Sequence, residues 1–414
     1  MASVPHRLVV VGASAAGLAV VEEARRRGYD GEVTLVGDEP GLPYDRPPLS
    51  KQLLAGEWEP ERLLLRSKEQ WEALNVVHRP NAAAVGVDTR TRQVRLADGG
   101  VCAYDALVIA TGARAVHPPS LGAALAGVQV LHDLPDALRL RGALARGGRL
   151  VVVGAGFVGA EAAAVARGMG VPVTMVDPQV LPMVGVLGEE VAYLLAVRHR
   201  EAGVDMRLGT GVTEVLAEKG CATGVVLDDG STVEASTVLV AVGARPAVDW
   251  LAGSGVPLGD RERDGVEGVL CDAYGRAAED VWAAGDVAAW LDPATGRHHR
   301  GEHRLGATEQ GRAVAAALLG DVPAGSTLPY FWSDQYDLKL QSYGTTGRGM
   351  AFAVVDGCLP EGRFVGVYGH RGADGRPVRV DGAIGSGMVR SLRTWRQAVL
   401  DGAPWPAAVP VPAS

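Results

Sequence analysis

Cysteine is scarce. The 414 residues hold four, Cys102, Cys221, Cys271 and Cys358, far apart and with no C-x-x-C or C-x(4)-C pair. That spacing excludes a disulfide scaffold, a cluster with locally spaced thiolate ligands and a redox-active cysteine pair. Positive charge is not in excess either, and a formal net charge of −8 argues against wholesale nucleic-acid binding. A long apolar run is missing too. The opening MASVPHR has no secretory h-region, and the run from Leu8 to Val21 is glycine-broken and too short to span a bilayer. A cytoplasmic protein without a membrane partner is expected.

What is present fits a folded enzyme-sized chain. Apolar residues make up 47% and charged residues 21%, and the length suggests roughly two to three domains. Glycine is abundant, at 56 residues, which suits several nucleotide-binding turns.

The chain is organised around Arg7 to Asp38. RLVVV is a buried strand, GASAAG a turn, AVVEEARRRG a helix, and EVTLV a second strand ending near Asp38. Gly12, Ser14 and Gly17 occupy the positions of a G-x-G-x-x-G turn, with serine where the middle glycine is usual. Such a turn brings backbone close to a pyrophosphate and offers it a helix N-terminus, here Ala15, Ala16 and Gly17. Asp38 is placed to accept hydrogen bonds from a ribose. The alternative is an ordinary loop of an α/β domain.

A second unit, residues 149–177, carries the full pattern in Gly154, Gly156 and Gly159, and Asp177 closes its following strand 23 positions after Gly154. Two units imply two dinucleotides, or one dinucleotide and a decayed copy. Asp177 favours a free 2′-hydroxyl over a 2′-phosphate, and no arginine follows until Arg198.

Between and after these units the landmarks are sparser. GLPYDRPPLSKQLL reads as a stiff extended entry to a helix capped by Ser50, with Lys51 at its start. Strands are expected near Val85 to Leu96 and Tyr104 to Ala110, and a junction at His117. Thr232 to Gly243 resembles the earlier strand ending in ATG, and AAEDVWAAGDVA delivers Gly285 and Asp286 in a turn. A helix is expected from about Thr308 to Leu319, a small antiparallel sheet from Pro323, a helix from Met388 to Leu400, and a frayed Pro/Ala tail. RHHRGEHR, residues 297–304, reads as a basic loop, either merely solvated or a docking patch for an acidic partner. His298, His299 and His303 have no spacing that argues for a metal.

The order of these landmarks resembles the FAD-dependent pyridine nucleotide reductases, the superfamily named for pyridine nucleotide-disulfide oxidoreductases. Within it, the chain is similar to the ferredoxin reductases of oxygenase and cytochrome P450 systems. The resemblance runs over nearly the whole chain: the turn at Gly12, PYDRPPLSK, ATG at Ala110, Thr111 and Gly112, GAGFVGAE from Gly154 to Glu161, AAGD to Asp286, and FWSDQYD from Phe331 to Asp337. It implies an α/β fold with two Rossmann-like dinucleotide-binding domains, glutathione-reductase-like, plus a C-terminal α+β domain. FAD would take residues 1–113 and 244–322, NAD residues 114–243, and residues 323–414 would complete the flavin pocket.

Carried over residue by residue, the resemblance puts Gly12, Ser14, Ala15, Ala16, Gly17, Asp38, Glu39, Arg46, Lys51, Ala84, Ala110, Thr111, Gly112, His132, Gly285, Asp286, Arg304 and Trp332 on FAD. Gly154, Gly156, Phe157, Val158, Gly159, Glu161, Asp177 and Gly243 fall to NADH. His132 stands where the family often has arginine, and His303, Arg304 and Leu305 where it has a tryptophan-bearing segment. Lys51 and Glu161 are expected to pair at the flavin's reactive edge, or else to be two surface charges at helix starts. Phe157 either covers the flavin or packs in the core, and Trp332 either lines the ring or only an interface.

The resemblance implies hydride transfer from NADH and one-electron delivery to a separate ferredoxin, since no second redox centre is visible in the chain. Rival readings are an NADH oxidase or rubredoxin reductase, and a slow redox-sensing flavoprotein. The missing cysteine pair disfavours a disulfide reductase.

Overall fold

In the computed structural model, residues 5–293, 295–321 and 328–406 are described. The expected junction at Pro323 and the Pro/Ala tail beyond residue 406 lie outside them. The chain forms two units. No helix among the described residues is long and apolar enough to cross a membrane.

The first unit takes in the described residues up to Asp45, Glu61–Arg114 and those from Ala244 to 321. Its six-stranded sheet has Arg7–Val11 near the middle, flanked by Glu32–Val36 and Ala106–Ile109, both parallel to it. Val77–Arg79 continues one side of the sheet, and Val281–Ala283 continues the other. The continuous apolar runs follow from covering on both faces. One cover is the helix Ala15–Arg26, which packs against Arg304–Leu318. Their closeness depends on Gly311, where a Cβ would lie 2.5 Å from the carbonyl oxygen of Ala16.

The second unit takes in Arg46–Pro60, Ala115–Gly243 and the described residues from Leu328. It repeats the pattern: Leu150–Val153 lies between Val173–Asp177 and Thr237–Val240 in a parallel five-stranded sheet. The Phe157–Gly168 helix packs on this sheet. A five-stranded antiparallel sheet runs from Tyr330–Gln335 through Leu338–Gly344, Gly382–Ser386, Arg363–Gly369 and Ala351–Cys358. The helix Val389–Leu400 buries only Leu392 fully and packs on this sheet.

Three local expectations need correction. Lys51 does not begin a helix: Pro47–Ser50 forms one short 3-10 turn and Lys51 closes it. Proline fixes φ near the helical value, so the turn starts at the prolines, and Ser50 is at its end rather than its cap. The 304–318 helix starts four residues earlier than expected, with His303 at its N-cap. The basic run is not all loop, because Arg297–His299 is a strand paired with Ala288–Asp292.

The helix Val184–Glu201 is broken at Gly188, with φ 71° and ψ 178°. That conformation is essentially confined to glycine. A break frees carbonyls, and two side chains meet them: Thr346 Oγ1, just past the strand Leu338–Gly344, donates to Val186 O at 2.7 Å, and Tyr368 Oη, on the strand Arg363–Gly369, to Leu187 O at 2.5 Å. The half that follows carries His199.

Candidate active site

The two glycine turns share one geometry. Gly12 has φ +120°, and a Cβ there would meet Ala110 O at 2.0 Å; Gly154 has φ +104°, with Ala241 O at 2.3 Å. At the last position of each turn, a Cβ on Gly17 would lie 1.9 Å from Gly12 O, and one on Gly159 would lie 2.0 Å from Gly154 O. Only glycine lets each helix start this close to its strand.

The middle position differs in kind. Gly156 has open space around its absent Cβ and a φ of −76°, and Ser14 sits at φ −129°. Neither requires glycine for the fold, so Ser14 departs from the pattern without strain.

Both turns present backbone donors. The first intrahelical bonds are Leu18 N to Ser14 O and Ala160 N to Gly156 O, each 2.9 Å. The N–H groups of Ala15, Ala16 and Gly17 in one unit, and of Phe157, Val158 and Gly159 in the other, are thus left without an intrahelical acceptor. No acidic side chain occupies the first turn of either helix. Each turn fits one pyrophosphate.

Around the first turn, Gly285 lies against Ala16, and its N–H is accepted by Gln310 Oε1 at 2.9 Å. Asp286 accepts from Arg300 through its carbonyl at 3.0 Å. Thr111 Oγ1 donates to Ala247 O at 2.9 Å, and Gly112 O accepts from Ala247 N. Asp38 is exposed, with Arg114 at 4.0 Å, and Glu39 accepts from Tyr44. Ala84 opens a separate strand, Ala84–Asp88. Arg304 is committed to Asp45 and Thr308.

Arg46, Lys51, His132 and Trp332 belong to the second unit. Arg46 donates to His132 O at 2.8 Å. Asp177 also braces its own turn, its two oxygens accepting from Ala155 N at 2.6 Å and Gln179 N at 2.7 Å. Gly243 O accepts from Val116 N at 2.9 Å. A carboxylate has about four acceptor sites, so room is left on Asp177 for a ribose hydroxyl.

The densest chemistry lies on the Phe157–Gly168 helix. Lys51 Nζ is 2.7 Å from Glu161 Oε2, and the residues are only 9% and 3% exposed. Glu161 also accepts from Ser50 Oγ at 2.5 Å and from Ser333 Oγ at 2.8 Å. A buried ion pair persists only when its remaining lone pairs are met, and here three donors meet one carboxylate.

Strand alternation explains Ser333. In Tyr330–Gln335, Phe331, Ser333 and Gln335 are buried while Trp332 and Asp334 are half-buried. Phe331 meets Phe157 edge-to-face at 5.2 Å, and Ser333 meets Glu161 one helical turn further on. Two strand residues rise about 6.7 Å and four helical residues about 6 Å, so the two elements stay in step. Trp332 faces the other way and stacks on Tyr330 at 5.9 Å.

Ser50, Ser333, Gln335 and His199 were not among the residues expected from the sequence. Alternation within FWSDQYD was the available signal for two of them. His199 is fully buried and held down to a pKa of about 4, chiefly by desolvation. Burial pushes the Tyr336 phenol upward. The four cysteines are free.

Residues 6–311 match the sequence profile of the pyridine nucleotide-disulphide oxidoreductases. The chain belongs to that family. It is 37% identical to rhodocoxin reductase of Rhodococcus erythropolis, over 86% of this chain and 82% of that one. It is 35% identical to the anthranilate 1,2-dioxygenase system ferredoxin–NAD(+) reductase component of Burkholderia cepacia, over 89% of each. Among solved structures it is similar to the covalent putidaredoxin reductase–putidaredoxin complex, with a TM-score of 0.89 and 31% identity, covering 96% of this chain and 94% of that one.

Proposed function

We propose that this protein is an FAD-dependent reductase that takes hydride from NADH and passes electrons singly to a small iron–sulfur ferredoxin serving a cytochrome P450 or ring-hydroxylating oxygenase. The observation that carries the reading is the buried Lys51–Glu161 pair on the helix that opens from the second glycine turn, in a chain with no cysteine pair. A bound flavin accepts two electrons together and releases them one at a time, which is the chemistry the exchange requires. Relatives named as ferredoxin reductase components of oxygenase systems support the acceptor.

The chain's own residues hold and orient. The N–H groups after Gly12 bind the FAD pyrophosphate and those after Gly154 bind that of NADH, with residues 1–113 and 244–322 as the FAD domain, 114–243 as the NAD domain and 323–414 as the C-terminal domain. Asp177 accepts from the adenosine ribose and repels a 2′-phosphate, favouring NADH. Lys51 places a cation at the flavin's reactive edge, and Glu161 fixes the direction of that cation. Phe157, held edge-to-face by Phe331, excludes water from the edge. A cytoplasmic location belongs to the same reading.

Arg297 is exposed and is the cation of the basic run proposed to steer an acidic ferredoxin, whereas Arg300 supports the turn at Asp286 and pairs with Glu302. Neutralising Arg297 is expected to slow ferredoxin reduction but not reduction of a small dye; equal slowing of both removes the docking role. For the function itself, the test is NADH-driven reduction of a ferredoxin by the purified, FAD-loaded protein. Turnover with oxygen alone and none with ferredoxin would point to an NADH oxidase instead.

A further inference from the structure

Glu161 is the end of a chain of buried polar contacts within the second unit. Ser333 Oγ lies 2.8 Å from Glu161 Oε1, Gln335 Nε2 lies 3.0 Å from Ser333 Oγ, Gln335 Oε1 lies 2.9 Å from His199 Nε2, and His199 Nδ1 lies 2.8 Å from Tyr336 Oη. Ser333, Gln335 and His199 are each at most 1% exposed, so water does not compete for these bonds.

The donor inventory fixes the direction of every step. A carboxylate only accepts, so the single Ser333 proton points at Glu161. Ser333 must then accept, which turns the Gln335 NH2 group toward it. The Gln335 carbonyl oxygen then faces His199, whose Nε2 must carry the ring proton. In the neutral ring Nδ1 is bare and accepts from Tyr336. All four donors run the same way, toward Glu161, and bonds in such a series polarise one another. Because the amide of Gln335 does not readily hand on protons, the chain orients rather than conducts.

We propose that Ser333, Gln335 and His199 are positioning residues, a one-way hydrogen-bond chain that holds the Glu161 carboxylate in one orientation and through it the Lys51 ammonium. The proposal rests on the reading that the Lys51–Glu161 pair acts on bound flavin and nicotinamide. A core needing only stability could fill these positions with apolar side chains at no loss. Here Phe331 does so two residues before Ser333 on the same strand face.

Two measurements on the FAD-loaded protein test it. The first is long-range nitrogen NMR of histidine-labelled protein at neutral pH, with the His199 ring assigned by His199→Asn. The chain requires the Nε2–H tautomer with a bare Nδ1. A ring protonated at Nδ1, or one exchanging rapidly between tautomers, overturns it.

The second is rapid-mixing reduction by NADH of Ser333→Ala, Gln335→Leu and the double variant. Each single change is expected to lower the limiting rate about tenfold with the apparent NADH dissociation constant unchanged, and the double to be no slower than the slower single. Ser333→Thr, which keeps the hydroxyl, is expected to retain the rate, and it carries the test with Ser333→Ala if Gln335→Leu does not fold. Losses that multiply, a change confined to NADH affinity, or no loss would each overturn the chain. Lys51→Met separates the two levels: an unchanged hydride-transfer rate removes the underlying role of the pair, while the tautomer reports on the chain by itself.

Discussion

Lys51 and Glu161 are 110 positions apart in sequence, yet their side chains meet at 2.7 Å in a nearly dry setting. Two further hydroxyls, from Ser50 and Ser333, complete the carboxylate's shell. The arrangement has consequences for stability as well as for chemistry. Removing Lys51 leaves a buried carboxylate with hydroxyl donors alone. Lys51→Met is expected to lower unfolding free energy by about 3–5 kcal/mol, and Lys51→Met combined with Glu161→Leu to recover most of it. Urea denaturation of the four proteins of this cycle checks both statements.

His199 gives stability a pH dependence of definite sign. Its folded-state pKa is lowered from 6.5 to about 4 by burial, so the unfolded chain binds the extra proton between those values. Its contribution is fully present above pH 6.5 and is lost as pH falls toward 4, up to about 3 kcal/mol. Comparing denaturation midpoints of wild type and His199→Gln across this window isolates the effect from general acid unfolding: the difference should shrink as pH falls.

At Gly188 any side chain meets forbidden backbone. Gly188→Ala is expected to cost about 1–3 kcal/mol, or to shift the freed carbonyls off Thr346 and Tyr368. The nearest atoms to its added Cβ are 3.4 Å away, so the loss comes from the backbone rather than a clash. Thermal unfolding measures the loss.

The glycines of the second turn separate by position. Gly156→Ser places a side chain in open space at a negative φ, as at Ser14, and is expected to change stability by no more than about 0.5 kcal/mol. Gly159→Ala drives a Cβ to 2.0 Å from Gly154 O and is expected to abolish NADH binding or folding. Calorimetric titration of NADH with scanning calorimetry distinguishes the cases.

Asp177→Ala removes acceptors for Ala155 and Gln179 N–H groups and any repulsion of a 2′-phosphate. A relative gain for NADPH over NADH, with a stability loss of about 1–3 kcal/mol, is the expected result. A stability loss with no change in coenzyme preference would make Asp177 a brace only.

The two nucleotide turns were legible because their glycines are demanded by local sterics, and a local demand leaves a local pattern. Gly12, Gly17, Gly154 and Gly159 each answer to a carbonyl a few residues or one strand away. The hydrogen-bond shell of Glu161 was harder to see because its donors come from residues 50 and 333 and become neighbours only in the fold. Lys51 was picked out by resemblance, whereas Ser333 and Gln335 were hidden among the aromatic residues of FWSDQYD. His199 ends an ordinary-looking helix whose direction depends on the break at Gly188. The short turn at Pro47–Ser50 reads from the sequence as an extended entry because X-Pro dipeptides favour extension before the proline, while the same prolines favour a helical start after it.

The most direct measurement is the anaerobic visible spectrum of the purified protein, titrated separately with NADH and NADPH. The account predicts a yellow protein bleached rapidly by NADH, with a long-wavelength charge-transfer band and little response to NADPH. A colourless protein that takes up no FAD, or a flavin that NADH fails to reduce, would contradict it.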